Sequence, residues 1–293
     1  MIRTAVICVP AGSQQVQVRG MATLRDIKNR LKAVTNIQKI TKSMKVVSAA
    51  KYARAEKDLK PARPYGQGTL AFYERADVKQ DEKKPNHLII AMSSDRGLCG
   101  GIHSSIFKAI RSDVPNKPAG TTTKFIAIGD KSRGMLSRLF QSDILFHFAD
   151  VGKKTSTIGD ASLIANTIID CGYEFDHGEL YYNVFKSVVS YQTTIMPVYN
   201  SECVNSAEKL PLYDSLDEDV LRCYNEFALF SKVFFAMKEA SCSEQSARMT
   251  AMDAASKNAG EMIDKLALLY NRKRQSVITT ELIEIISGAA ALD

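Results

Sequence analysis

The stretch ATLRDIKNRLKAVTNIQKITKSMKVVSAAKYARAEKDLK, residues 22–60, decides the fold. It holds neither Gly nor Pro, and Leu24, Ile27, Leu31, Val34, Ile37, Ile40, Met44 and Val47 recur in steps of three or four. That spacing predicts one continuous α-helix with an apolar stripe narrow enough for a coiled-coil seam. Thr23 suits the N-cap, with Asp26 at the capping-box position. Ala49, Ala50, Ala53 and Ala55 leave room for a partner helix, and Pro61, Pro64 and Gly66 read as the helix end.

The partner follows Pro211. Residues 212–293 contain no further proline and only Gly260 and Gly288 interrupt them. Val220, Tyr224, Phe227, Val233, Met237, Met249, Met252, Ala255, Ala259, Met262 and Leu266 keep helical spacing. At ~1.5 Å per residue such a helix exceeds ~100 Å, far more than a compact domain needs. If the two helices pair antiparallel, the longer one overhangs over roughly 260–293. Met262, Ile263, Leu266, Leu268, Leu269, Val277, Ile278, Leu282, Ile283, Ile285 and Ile286 there occupy more than one face. Such a surface demands a sleeve of other chains. Between the helices, residues 86–200 alternate strand-like runs (87–92, 124–128, 144–148, 180–185 and 188 onward) with helical stretches near 102–112, 131–140 and 160–171. This order implies a mostly parallel sheet. The expected fold is therefore α/β, an antiparallel coiled coil of long N- and C-terminal helices (22–60 and 212–293) plus a central, mostly parallel α/β domain with linkers (61–211).

Composition narrows the class. The 293 residues carry a net charge of +7 and 45% hydrophobic residues, an ordinary globular balance. No run of eighteen apolar residues marks a membrane span. Residues 1–21 hold Arg3 and Arg19 but no acid, the signature of a mitochondrial targeting segment. Residues 22–60 carry eleven Lys or Arg against three acids, whereas 212–293 carry nine against thirteen, so the two ends invite mutual pairing. Lys28, Arg30, Lys32, Lys39, Lys42 and Lys45 could grip nucleic acid, but no aromatic interleaves them before Tyr52. A solvated or protein-facing surface is the better reading, and no nucleic acid is expected. The six cysteines (8, 99, 171, 203, 223 and 242) form no close pair or Cys/His cluster, which argues for free thiols and against a zinc site or disulfide scaffold.

The tempting chemical motif is SSDRGLCGG, residues 93–101, where a strand runs into a helix. Glycines there could free N–H groups for a phosphate. However, G-x-x-G-G matches neither dinucleotide nor P-loop spacing. Gly152-Lys153-Lys154-Thr155 resembles a P-loop end, yet Phe148 stands where its first glycine should be. Tight-turn packing is the expected role of both. Cys99 beside Arg96 could be a reactive thiol, though a buried small apolar residue is the commoner fate. His87, His103, His147 and His177 are scattered. No catalytic, cofactor-binding or metal site is expected.

Three blocks carry a resemblance: ATLRDIKNRL (22–31) continuing into NIQKITKSMKVVSAAK (36–51), SSDRGLCG (93–100), and SEQSARMTAMD (243–253) together with ELIEIISGAAAL (281–292). They resemble the gamma-subunit family of F-type ATP synthase in its mitochondrial form, over residues 22–292. The resemblance implies a non-catalytic central-stalk rotor, an axle turning inside a ring of alpha and beta subunits whose beta subunits do the chemistry. It implies a foot attached to the c-ring beside the delta and epsilon subunits, and peripheral association on the matrix side of the mitochondrial inner membrane. It maps ring contacts onto Arg274, Gln275, Thr279 and Glu281, and onto Met44 on the first helix. Plastid relatives carry a cysteine pair for thiol control; none is close here, so no such switch is expected. Competing functions are a coiled-coil scaffold unconnected with rotation and, further off, a nucleotide-dependent α/β enzyme. Co-isolation with alpha and beta chains separates them.

Overall fold

The computed structural model describes residues 23–81, 84–118, 120–207, 209–213 and 216–290. The expected targeting segment, 1–21, lies outside them. The chain divides into two compact units, one from its two ends (up to Asn36 and from Ala259) and one over 37–258.

In order, the elements are α1 (Leu24–Arg75), β1 (Asn86–Met92), α2 (Ile102–Asp113), β2 (Thr122–Ile128), α3 (Asp130–Leu136), β3 (Ile144–Phe148), α4 (Ile158–Asp170), β4 (His177–Ser187), β5 (Ser190–Val198), α5 (Ser201–Asn205) and α6 (Glu218–Ala290). Thr23 and Asp26 form the expected capping box: Asp26 N donates to Thr23 Oγ1 at 3.2 Å, and Thr23 N donates to Asp26 Oδ2 at 3.1 Å. The Thr23 bonds hold the Asp26 carboxyl below its usual range.

Contrary to the expected end at 60, α1 runs 15 residues further, with Pro61 and Pro64 inside it. Both prolines sit on the exposed face, as do Lys57 and Lys60, whose carbonyls find no i+4 N–H donor at the proline ring nitrogens. The opposite face supplies the compensation: Leu59, Ala62, Thr69, Tyr73 and Ala76 are buried. Gly66 terminates nothing. A Cβ there would stand 2.3 Å from Phe235 Cγ, so its absence lets α6 approach.

The seam also differs from the apolar stripe. Ile27 and Val34 are buried, but Ile37, Ile40 and Val47 are exposed, and Thr41 and Ser48 take the next inward positions. Ile27, Val34, Thr41 and Ser48 keep a strict seven-residue step, the period of paired helices, while the apolar residues drift off it.

In the unit built from the chain ends, Leu31 and Val34 pack against Ala259, Ile263 and Leu266. The unpaired stretch therefore starts later than residue 260. The expectation used a 39-residue first helix against an 82-residue second; the observed lengths, 52 and 73, leave less over. Residues 278–290 are exposed throughout, with Ile278, Leu282, Ile283, Ile285 and Ile286 open to solvent.

In the 37–258 unit the sheet order is β3-β2-β1-β4-β5, parallel except for the antiparallel β4–β5 hairpin. Ile89 lies beside Phe125 and Ile90 beside Leu180. Both faces are covered, so β1 reads as an apolar run from Leu88 to Met92. One core joins Leu88, Ile90, Met92, Ile126 and Leu180 to α4 and to Leu229, Val233, Ala236 and Met237 of α6. The other joins Ile89, Ala91, Phe125 and Tyr181 to Ile106 and Ile110 of α2 and Leu136 of α3.

Candidate functional site

The largest concentration of buried polar groups lies where α6 crosses the sheet. Between residues 231 and 248 the helix buries Ser231, Lys232, Glu239, Ser243, Glu244, Gln245, Ser246 and Arg248. Three of these, two helical turns apart, bond to the backbone of the β4–β5 hairpin. Lys232 Nζ donates to Pro197 O at 2.8 Å, Phe185 N donates to Glu239 Oε2 at 2.9 Å, and Ser246 Oγ donates to Val188 O. Ser243 Oγ adds a bond to Asn183 O at 3.1 Å, and Thr250 Oγ1 one to Val188 O at 3.2 Å. Because seven residues complete almost two turns, one helix face is stitched repeatedly to one hairpin.

The helix pair is tied in at the same level. Arg63 of α1 donates through Nε to Glu239 Oε1 at 2.7 Å and through its terminal nitrogen to Phe185 O at 2.8 Å. One carboxylate thus joins α1, β4 and α6. Its bond raises the already high Arg63 pKa, so this guanidinium stays charged. Lys45–Asp253 at 2.6 Å and Lys238–Asp58 at 3.6 Å are further cross-helix ion pairs. Of the basic residues weighed for nucleic acid, only Lys45 forms such a cross-helix pair among the described residues; Lys28, Arg30, Lys32, Lys39 and Lys42 are exposed.

The 93–101 loop serves the same joint. Ser93 Oγ donates to Ile128 O at 2.9 Å and accepts from Ser132 N at 2.9 Å, and Asp95 Oδ1 accepts from Asp130 N at 2.9 Å. The N–H groups that open α3 are thereby filled by the protein's own oxygens. At α4, Thr157 and Asp160 form a reciprocal capping box, so the Gly152–Thr155 turn leads into a helix start already satisfied. Gly100 has φ +65°, and a Cβ there would meet Ala251 of α6 at 3.9 Å. Arg248 Nε donates to Gly97 O at 3.3 Å while its guanidinium pairs with buried Glu244. Cys99 is 2% exposed, and burial, reinforced by Glu244, pushes its thiol up to about 11. That is an inert packing residue, not a nucleophile. Burial also pulls His103 below the usual imidazole range. Among the described residues no group of His, Cys, Asp and Glu could hold a metal ion.

Of the sequence-derived contact residues, Met44 is half-buried beside a groove of about 390 Å³ lined by Val47, Arg96, Leu98, Gln245 and Arg248. Arg274, Gln275, Thr279 and Glu281 all lie on the exposed end of α6, in the other unit. Thr279 Oγ1 donates back to Gln275 O at 2.9 Å. Sequence reading overlooked Lys232, Glu239, Ser246 and Arg63. The available signal was the seven-residue step of polar residues 232, 239 and 246 within one long helix.

The family model for ATP synthase matches residues 23–292. The mitochondrial ATP synthase gamma subunit of Drosophila melanogaster is 57% identical over 277 residues, covering 94% of this chain and 93% of its own. The F(1) complex gamma subunit of Rattus norvegicus is 56% identical, covering 93% of this chain and 100% of its own. Among solved structures, a chain of the Euglena gracilis mitochondrial ATP synthase assembly of OSCP, F1 and c-ring superposes with a TM-score of 0.73 at 20% identity. It covers 92% of this chain and 94% of that one, and at that identity the likeness concerns the fold.

Proposed function

The chain belongs to the ATP synthase gamma-subunit family, and we propose from this that it is the central-stalk rotor coupling c-ring rotation to ATP synthesis in an alpha-beta ring. The observation that carries the reading is the stitched joint. A rotor must pass torque from its foot into its helices, and apolar packing alone resists sliding weakly because it has no direction. Directional hydrogen bonds from Lys232, Glu239 and Ser246 to one hairpin, with Arg63 locking the second helix to the same carboxylate, oppose rotation of α6 against the sheet.

Chemistry then lies outside this chain, in the beta subunits, and the rotor works by presenting different faces to identical partners. Each face shifts the binding free energy of the site it touches, so rotation moves tight binding from site to site. In this reading the exposed apolar end of α6 runs inside the ring. Arg274, Gln275, Thr279 and Glu281 contact it there, and Met44 contacts it at the level of the loop groove. The foot meets the c-ring and the delta and epsilon subunits. Among the described residues no helix is long and apolar enough to cross a membrane, which suits peripheral attachment on the matrix side of the mitochondrial inner membrane.

The test is replacement of the resident gamma subunit in mitochondria by this chain carrying Glu281→Cys, followed by isolation of the complex. Co-isolation with alpha and beta chains is expected. Oxidative cross-linking of that cysteine to a ring subunit bearing an introduced cysteine should stop ATP turnover, and reductant should restore it. A cross-linked complex that keeps turning over, or a chain that isolates alone, would sink the rotor reading.

A further inference from the structure

Lys232 is buried in a way that no other lysine of the joint is. It is 1% exposed, and its Nζ has one oxygen partner, Pro197 O on β5 at 2.8 Å. Above it lie two aromatic faces, Tyr73 of α1 with its centroid 4.4 Å away and Tyr199 just after β5 at 4.6 Å. The two rings are stacked, 4.5 Å apart and 28° from parallel. Among the described residues no carboxylate comes within ion-pair distance of it, in contrast to Lys238 with Asp58 and Lys117 with Glu179.

The titratable groups that face the box are phenols. Tyr73 on α1, Tyr199 after β5 and Tyr224 on α6, which touches Tyr73, are all held protonated by burial. Glu74 on α1 and Cys203 on α5 act on the Tyr199 phenol and push it further up. Tyr73 donates its proton to Asn225 Oδ1 at 2.7 Å and Tyr224 donates to Thr69 O at 3.2 Å. With the phenols protonated and no carboxylate within ion-pair distance, no anion among the described residues pairs with a proton on Nζ. An ammonium offers three donors and finds one oxygen; the ring faces give the other two partial compensation. The amine has one donor fewer and no charge to be solvated. Desolvation accordingly brings Lys232 down to about 7.

We propose that Lys232 is a proton-driven latch of this joint. As the amine it keeps α6 closed on β5 and on the Tyr73–Tyr199 pair. As the ammonium it draws water into the box and loosens residues 228–236 of α6 from β5. The sign follows from linkage: the open joint, where Nζ is hydrated, binds a proton more tightly than the closed one, so acidification favours opening. The closed fraction falls relative to the open one by up to about tenfold per pH unit between the ordinary lysine range of the open joint and the closed-state titration, and levels off below the latter.

The experiment is amide hydrogen exchange of the full chain between pH 6 and 8, with rates normalised for chemical exchange. Protection over 193–199 and 228–236 should fall about tenfold from pH 8 to pH 6, with residues 89–91 and 125–128 as the internal reference. Lys232→Met should remove that pH dependence. A wild-type chain without the fall, or a Met variant that retains it, would overturn the latch. Should Lys232→Met fail to fold, the wild type decides by ¹³C-labelled lysine side-chain NMR. A Lys232 Cε titration near pH 7 supports the latch, and an ammonium signal persisting to pH 9 overturns it.

Discussion

Replacing Glu239 tests whether the joint is held by direction or by packing. This carboxylate is 1% exposed and joins Arg63 Nε at 2.7 Å to Phe185 N at 2.9 Å. Glu239→Ala removes both acceptors at once. Deleting one partner of a buried ion pair costs about 3–5 kcal/mol. Here Arg63 keeps 41% of its side-chain surface in water and recovers part of its hydration, which puts that contribution at the low end. The stranded Phe185 N–H, inside the hairpin, adds about 1–3 kcal/mol. A total loss of about 4 kcal/mol is expected. Glu239→Gln keeps the shape and an acceptor for Phe185 N, so about 1–2 kcal/mol should be lost. Urea unfolding of the full chain measures this through tyrosine fluorescence, since the protein has 11 Tyr and no Trp. With a slope of about 3 kcal/mol per molar, Ala should lower the midpoint by more than 1 M and Gln by about half that or less. In the assembled complex, ATP synthesis at equal assembly should follow the same order. Equal midpoints for Ala and Gln, or a loss under 1 kcal/mol for Ala, would refute the claim that this carboxylate locks three elements together.

Cys171 and Cys223 are exposed, whereas Cys99 is buried with a thiol raised to about 11. At pH 8 a maleimide should label the first two well before Cys99, read by peptide mass spectrometry. Glu179 meets burial, which pushes its carboxyl up, but hydrogen bonds from His177 and Lys117 and the Lys117 charge outweigh it and leave it at about 2. A carboxylate depressed in the fold stabilises above its unfolded value near 4.5 and loses that contribution as pH falls toward 2. Glu179→Gln should therefore lower the melting temperature at pH 7 clearly and near pH 2 hardly at all, by differential scanning calorimetry. Ala254 is exposed on α6, so Ala254→Pro disturbs backbone rather than packing, at about 3 kcal/mol. It should reduce ATP synthesis per assembled complex far more than Ala290→Pro, at the last helical residue, and equal losses would assign the load to the wrong part of the helix.

Local signals carried the element order. The capping pair Thr23–Asp26, the Pro-free stretches, the β-branched runs of β1 and β2 and their alternation with short helices depend on neighbours within a few residues, and a single sequence displays them. The exposed apolar end of α6 was legible for the same reason, because hydrophobic residues on several faces need no partner coordinates to be recognised. Tertiary structure decided the rest. α1 passes through Pro61 and Pro64 because its far face is buried by α6, an energy that helix-stop rules do not contain. Thr41 and Ser48 displace Ile37, Ile40 and Val47 from the seam because two paired helices keep a seven-residue period whatever residues occupy it. Lys232, Glu239 and Arg63 passed without notice in the sequence. Only the approach of β4 and β5 converts them into anchors, since a polar side chain becomes directional and costly to break once water has been excluded from around it.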